Sequence, residues 1–415
     1  MPIKFLHLSD THIGIENYGR LDPATGLHTR LQDFVRSLRF ALELAVEEAV
    51  DLVVFCGDAY RSCDPTPTHQ REFAALVRTL SDAGIPFVAV TGNHDSPVAF
   101  GRASSIDIFG TLRTDGVHIA SEPDLITVAT RSGPVQVGCL PWLQASRLLS
   151  KAPYRGMGQE QTLRALQDLG AEMIQSLAAR VDPAYPAILA AHVAAAEASF
   201  SGSEQTAVIG RDPVFLTSTL ADAAFDYVAL GHIHKFQDLN PGGRPPVVYS
   251  GSVERVDFGE ENEAKGVCLV TIHEGTEASR EVEYRFVPTP ARPFKTLEVS
   301  VAPDSSPTEA ILEEIRRHDL NQAVVRIVYE NLEPQTEDVD LKAIRDALEG
   351  AFLIARIAPR PTRQDHVRRA DISEGSGLKD AVHAYVQNRP DLEALESELQ
   401  DAAARLEREL QEGGA

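Results

Sequence analysis

Residues 3–12, Ile3-Lys4-Phe5-Leu6-His7-Leu8-Ser9-Asp10-Thr11-His12, decide the fold. The short apolar run over 3–9 reads as a buried strand, and it ends on two side chains that ligate metals, Asp10 and His12. The same pattern recurs downstream. Asp51-Leu52-Val53-Val54-Phe55-Cys56 is a second buried strand, closing on Gly57-Asp58. Pro86-Phe87-Val88-Ala89-Val90-Thr91 is a third, closing on Gly92-Asn93-His94-Asp95. Leu31, Phe34, Leu38, Leu42, Ala45 and Ala49 fall near helical spacing and predict a helix over 30–49; a second is predicted over 67–80. Strand, helix, strand, helix, strand describes a layered α/β domain.

Beyond residue 120 the pattern turns β-rich. A hairpin is expected over 125–130 and 135–140, then a long helix over 157–179. A strand over 187–191 ends at His192, and one over 225–230 ends at Gly231-His232-Ile233-His234. Strands over 247–249, 266–272 and 279–287 complete a first domain, 1–287. Pro288, Pro290 and Pro293 mark a linker over 288–294. Strand, helix, strand, helix, strand then predicts a small α/β domain over 295–358, followed by a polar linker over 359–377. In the segment 378–415, Leu392, Leu395, Leu399, Ala402, Leu406 and Leu410 step by three and four. Such a stripe suits either a docking helix for a partner or a terminal helix packed on its own domain.

Asp10 with His12, Asp58, Asn93 with His94, His192, and His232 with His234 all end or directly follow predicted strands. Open α/β sheets gather their sites at the carboxyl ends of strands, so these groups are expected on one rim. The i,i+2 spacing of Asp10 and His12, and of His232 and His234, turns both members of each pair to one side of an extended segment. Asp58 carries two oxygens and can bridge two cations. Oxygen and imidazole donors without thiolates suit manganese, iron or zinc. Taken singly, each residue also reads as a solvated loop polar or a satisfied core histidine; the clustering favours metal chemistry.

Composition narrows the class. The chain holds 39 Lys and Arg against 61 Asp and Glu, so its formal charge is 39 − 61 = −22. That balance argues against a nucleic-acid coat protein. It leaves room for a nuclease, because bound cations and a local basic strip can work on an acidic chain. No secretory leader and no membrane span are expected, and Cys56, Cys63, Cys139 and Cys268 form no disulfide framework, which fits the reducing cytoplasm.

Together these five separated motifs resemble the calcineurin-like metallophosphoesterase superfamily, over roughly residues 1–290. Within it the chain is similar to the SbcD family of DNA double-strand-break repair nucleases. The narrower likeness is carried by Phe5-Leu6-His7-Leu8-Ser9-Asp10-Thr11-His12-Ile13-Gly14, by Asp226-Tyr227-Val228-Ala229-Leu230-Gly231-His232-Ile233-His234, and by Tyr249-Ser250-Gly251-Ser252 with Phe258-Gly259-Glu260 and Lys265-Gly266. The resemblance implies a layered β-sandwich core flanked by helices, a small α/β DNA-capping domain and C-terminal helices that dock on an SbcC-like coiled-coil ATPase. It implies two divalent ions, Mn2+ first among them. One would be held by Asp10, His12, Asp58 and His234, the other by Asp58, Asn93, His192 and His232. His94 would be catalytic and Asp95 would position it. The expected activity is exonuclease action on DNA ends and endonuclease action near blocked ends or hairpins, in a homodimer for which helices 30–49 and 67–80 are interface candidates. Tyr18, Arg20, Arg30, Arg102 and Arg255 are candidates for phosphate contact. A stand-alone metal-dependent phosphodiesterase or phosphatase, and a DNA-end-binding scaffold, are the competing functions.

Overall fold

The computed structural model describes residues 1–97, 99, 101–201, 212–275, 280–301, 306–330, 339–360, 382–383, 386 and 395–412. Strands rich in Val, Ile, Leu and Phe are buried on both faces, as strands covered by two layers must be. β1 (Ile3–Leu8), β2 (Leu52–Phe55), β3 (Phe87–Val90) and β4 (Val117–Ala120) run parallel. Antiparallel β13 (Gly266–Ile272) and β14 (Val282–Pro288) extend that sheet to the order β14-β13-β1-β2-β3-β4. The second sheet combines β5 (Asp124–Thr130), β6 (Gly133–Leu140), β7 (Ala187–His192), β10 (Tyr227–Gly231), β11 (Gln237–Asp238) and β12 (Val247–Tyr249), in the order β11-β12-β10-β7-β6-β5. Its centre, β6, β7, β10 and β12, is also parallel. A two-stranded ribbon, β8 (Ala194–Ala195) with β9 (Val214–Phe215), follows the carboxyl end of β7.

Alternation along the strands explains the layers. Ile3 and Phe5 of β1 and Leu52, Val54 and Cys56 on and after β2 meet Val135, Val137, Ile188, Ala190 and Ala229 in a core between the sheets. Leu6, Leu8, Val53 and Phe55 point the other way, onto α1 (Thr29–Glu47) and α2 (Pro67–Asp82). The far face of the second sheet is covered by α4 (Ala145–Leu149) and α5 (Gln159–Ala178), around Leu166, Ile174, Leu189 and Leu230. Helices, sheet, sheet, helices is the layered sandwich expected from the sequence. Short β4, α3 (Asp107–Thr111) and α4 go unread in the sequence, because none carries the unbroken apolar run that marks the equally short β2 and β3.

The chain divides into two compact units. The larger takes Met1–Leu297 with Ile315–Arg326 and Arg345–Arg356; the smaller takes Glu298–Glu314, Ile327–Ile344 and Ile357–Ala415. β15 (Phe294–Val299), β16 (Val324–Tyr329) and β17 (Leu353–Pro359) form a three-stranded sheet in that order, with helices over Pro307–Arg316 and Leu341–Ala347. Inside the larger unit, Arg292 of the expected linker makes a bidentate pair with Asp33 of α1, both bonds 2.6 Å, and its guanidinium lies 3.5 Å from the Phe352 ring centre. Residues 361–377 of the second expected linker, and Leu392 of the leucine stripe, lie outside the described residues. A helix spans Glu396–Glu412, with Leu395 and Leu399 exposed. No helix among the described residues is long and apolar enough to cross a membrane.

Candidate metal centre

Parallel strands of both sheets deliver the ligand candidates from their carboxyl ends. Asp10 and His12 follow β1, Asp58 follows β2, Asn93 follows β3, His192 closes β7, and His232 and His234 follow β10. Nε2 of His12 and Nε2 of His234 stand 2.9 Å apart. Two donors at right angles on one cation at about 2.1 Å are about 3 Å apart, so this spacing is compatible with a shared ion. Donor atoms of Asp10, His12 and His234 form one compact group, and those of Asp10, Asp58 and His192 another. Asn93 Oδ1 lies 2.9 Å from His192 Nε2 and 3.1 Å from His232 Nδ1. Asp10 belongs to both groups, and Asp58 Oδ2 lies 3.5 Å from His192 Nε2 and 3.7 Å from His12 Nε2. The donor set therefore fits a pair of divalent cations.

The loops that carry these side chains are tightly constrained. Asp10, His12, Asp58 and His232 hold φ of 53°, 40°, 60° and 102°. Residues with a Cβ seldom adopt such angles, and those that do concentrate at functional sites. Hydrogen bonds lock them: Asp10 N–H donates to the Gly57 carbonyl and His12 N–H to the Asp58 carbonyl, both at 3.0 Å, and His232 N–H donates to the Asp10 carboxylate at 3.1 Å. Gly92 is required here, since a Cβ would fall 2.1 Å from Asp58 Oδ1.

The ring atoms are oriented from behind. His192 Nδ1 donates to the Cys56 carbonyl at 2.7 Å, leaving Nε2 for an ion. His234 Nδ1 lies 2.7 Å from Glu260 Oε1. Burial disfavours charge on His192, yet the adjacent Asp58 carboxylate overcomes it and pushes its pKa up to about 9. Burial would raise Asp58, but His192, His94 and His12 hold it well below the usual carboxylate range. Burial, reinforced by His234, drives His12 well below the ordinary imidazole value.

His94 sits exposed on the rim, its backbone N–H donating to Asp58 Oδ1 at 2.8 Å and its ring edge-on to His12 at 4.9 Å. Its Nδ1 donates to the Arg61 carbonyl at 2.8 Å. The expectation that Asp95 orients His94 is corrected here. The buried Asp95 carboxylate instead accepts from the N–H groups of Asp58, Ala59 and Gly92 at 2.8–3.0 Å and from Ser105 Oγ at 3.1 Å. It ties the Asp58 loop to the Asn93 loop. Burial, then the Asp58 charge, pushes Asp95 up to about 6.

Two phosphate-contact candidates are also corrected. Arg30 is fully enclosed; Nη1 pairs with Asp33 at 2.9 Å and Nη2 donates to the Arg255 carbonyl. Arg255 turns inward, donating to the carbonyls of Arg292 at 3.1 Å and Glu263 at 2.7 Å. Tyr18 packs edge-on against Phe258 at 5.1 Å and Phe294 at 5.6 Å. Arg20 is exposed, 5.7 Å over the Phe352 ring, and Arg102 is exposed, 3.4 Å from Asp64. Sequence reasoning assigned no role to Trp142, whose ring stacks on His232 with centres 5.1 Å apart and planes at 34°. Nor did it assign one to Glu260 or Lys265. The cysteines are all unpaired.

A family model described as calcineurin-like phosphoesterase matches residues 3–236, a span that contains every ligand candidate above. The chain belongs to that family and is a metal-dependent phosphodiesterase, of a class that works with a dinuclear divalent metal site. Among individual proteins it is similar to the SbcD component of the nuclease SbcCD from Bacillus subtilis (strain 168), 28% identical over 286 residues, which cover 67% of this chain and 68% of that one. The SbcD component of the same nuclease from Escherichia coli (strain K12) is 29% identical over 283 residues, 67% of each chain. The DNA double-strand break repair protein Mre11 of Haloferax volcanii is 28% identical over 359 residues, 85% of this chain and 67% of that protein.

Proposed function

We propose that this protein is the nuclease component of a DNA repair complex. It hydrolyses DNA phosphodiester bonds, as an exonuclease on duplex ends and as an endonuclease near blocked ends or hairpins. It works as a homodimer in the cytoplasm with an SbcC-like coiled-coil ATPase. The carrying observation is the convergence of Asp10, His12, Asn93, His192, His232 and His234 on Asp58, beneath an exposed His94. Asp10, His12, Asp58 and His234 would hold one ion, and Asp58, Asn93, His192 and His232 the other. The mixed oxygen and imidazole set suits manganese, iron or zinc, and the family likeness puts Mn2+ first among them. When bound, such a pair activates water at neutral pH and screens phosphate charge.

The protein's own groups do the rest. Asp58 stays ionised in its ring of imidazoles. Asp95 fixes the distance between the two loops that carry Asp58 and Asn93. His94 keeps its Nδ1–H on the Arg61 carbonyl, and as an imidazolium it would offer Nε2–H to the leaving oxygen as a proton donor or to the phosphoryl oxygens as a charge partner. Arg20, Arg102 and Tyr18 remain as backbone contacts, which position a strand without reading its sequence.

The test is a manganese-dependent assay on end-labelled linear duplex, on hairpin DNA and on a small aryl phosphodiester, each with and without the ATPase. Cleavage of duplex ends and hairpins that is lost in His94→Ala supports the reading. Turnover confined to the small ester points to a stand-alone phosphodiesterase. DNA binding that survives Asp58→Ala with no cleavage in wild type points to an end-binding scaffold.

A further inference from the structure

The stretch Phe258-Gly259-Glu260, with Lys265-Gly266, has no part in the hydrolytic chemistry above. We propose that Glu260 is a positioning residue: its carboxylate fixes His234 in the tautomer whose Nε2 lone pair faces the metal centre, and buried Lys265 holds that carboxylate in place. The inference rests on the metal-centre reading above and deepens it.

Glu260 and Lys265 are both fully enclosed in side chain. Glu260 Oε1 lies 2.7 Å from His234 Nδ1, while Oε2 accepts the Val256 N–H at 2.9 Å and pairs with Lys265 Nζ at 2.9 Å. An ionised carboxylate offers acceptors alone, so the ring atom facing it must carry hydrogen. With the proton on Nδ1, Nε2 is left with its lone pair, and it is Nε2 that stands 2.9 Å from His12 Nε2 beside Asp10.

Lys265 explains how the carboxylate tolerates enclosure, since an isolated buried charge is very costly. The same ammonium donates to the His234 carbonyl at 3.0 Å and pairs with Glu263 at 3.0 Å. It therefore grips the histidine twice, through its backbone and through the carboxylate behind its ring. A charged acceptor behind a ligating imidazole binds more strongly than a neutral carbonyl and makes the opposite nitrogen a better donor. Among the ring bonds described above, His192 relies on a carbonyl and His234 on a carboxylate.

The primary test needs no mutation. Long-range proton–nitrogen spectra of His234 in the metal-free wild-type protein are expected to place the proton on Nδ1; a proton on Nε2 overturns the proposal. The second arm uses Glu260→Gln, which keeps size but replaces one acceptor by a donor. It then faces two N–H groups, those of His234 and Val256, with one oxygen. The expected results are a mixed tautomer at His234 and a fall of about 10–100-fold in Mn2+ affinity at one of two sites, read by calorimetry. An unchanged tautomer with unchanged affinity overturns the proposal. If Glu260→Gln fails to fold, the wild-type spectrum still decides. Wild-type protein that binds no Mn2+ would sink the metal centre itself, whereas two bound ions with an indifferent Glu260→Gln would sink this inference alone.

Discussion

His192 and His234 belong to different donor groups of the metal centre and are braced by different means. Behind His192 is a main-chain carbonyl, Cys56, just past β2. Behind His234 is a side chain, Glu260, which depends on a second side chain, Lys265. The first brace comes with the sheet register and cannot be removed without unfolding a strand. The second is carried on a separate loop and can be removed by substitution. One flank is thus built into the fold and the other is added to it, although both present Nε2 to the same centre.

Replacing Asp58, the residue proposed to hold both ions, should have the largest effect. Asp58→Ala is expected to abolish turnover and to leave neither ion bound, measured by metal content after gel filtration. One ion retained at full affinity would mean that the flanks are separate sites. Next in size is His94→Ala, which should lower kcat by about 10²–10⁴-fold while both ions stay bound in a calorimetric titration. An ion lost from that variant would make His94 a ligand and not a proton donor.

The flank braced by the main chain has a pH signature. His192 titrates near 9 in the fold against an ordinary 6.5, so its contribution to stability is complete below about pH 6.5 and is lost as pH rises through about 9. The metal-free protein should therefore show a falling Tm across that window, and saturating Mn2+ should flatten it, because the ion displaces the proton. A level profile in the metal-free protein would remove the Asp58–His192 pair from the account. The smallest effect is expected at Trp142. Loss of its stacking on His232 in Trp142→Ala should cost about 0.5–1.5 kcal/mol, up to about tenfold in affinity for one ion, and Trp142→Phe should recover most of it.

What the sequence disclosed was local. Leu52 to Phe55 and the Asp58 that follows lie in one short stretch, so burial pattern and ligand could be read together. That holds for Asp10, Asn93, His192 and His232 as well, and it located the sandwich and its rim. What it hid was made by distant contacts. Arg30 reads as a free arginine at the start of a helix because the Arg255 carbonyl that accepts from it is 225 residues away. Asp95 looked like a partner of adjacent His94, but its acceptor atoms are taken by N–H groups 36 and 37 residues upstream. Trp142 and Glu260 belong to no period and no spacing rule; only the folded chain brings them to His232 and His234. Helix α3 leaves Ile108 exposed and is too short to show an apolar face.

The left-handed backbone at Asp10, His12, Asp58 and His232 sets two selective pressures against each other. Glycine adopts those angles without steric cost. A library screened for heat resistance alone, in a chelator, should therefore enrich glycine at these positions except Asp58, whose pair with His192 stabilises the metal-free fold. The same library screened for hydrolysis should reject it, because the donor atoms leave with the side chains. At these four positions the chain is strained and is still not free to change.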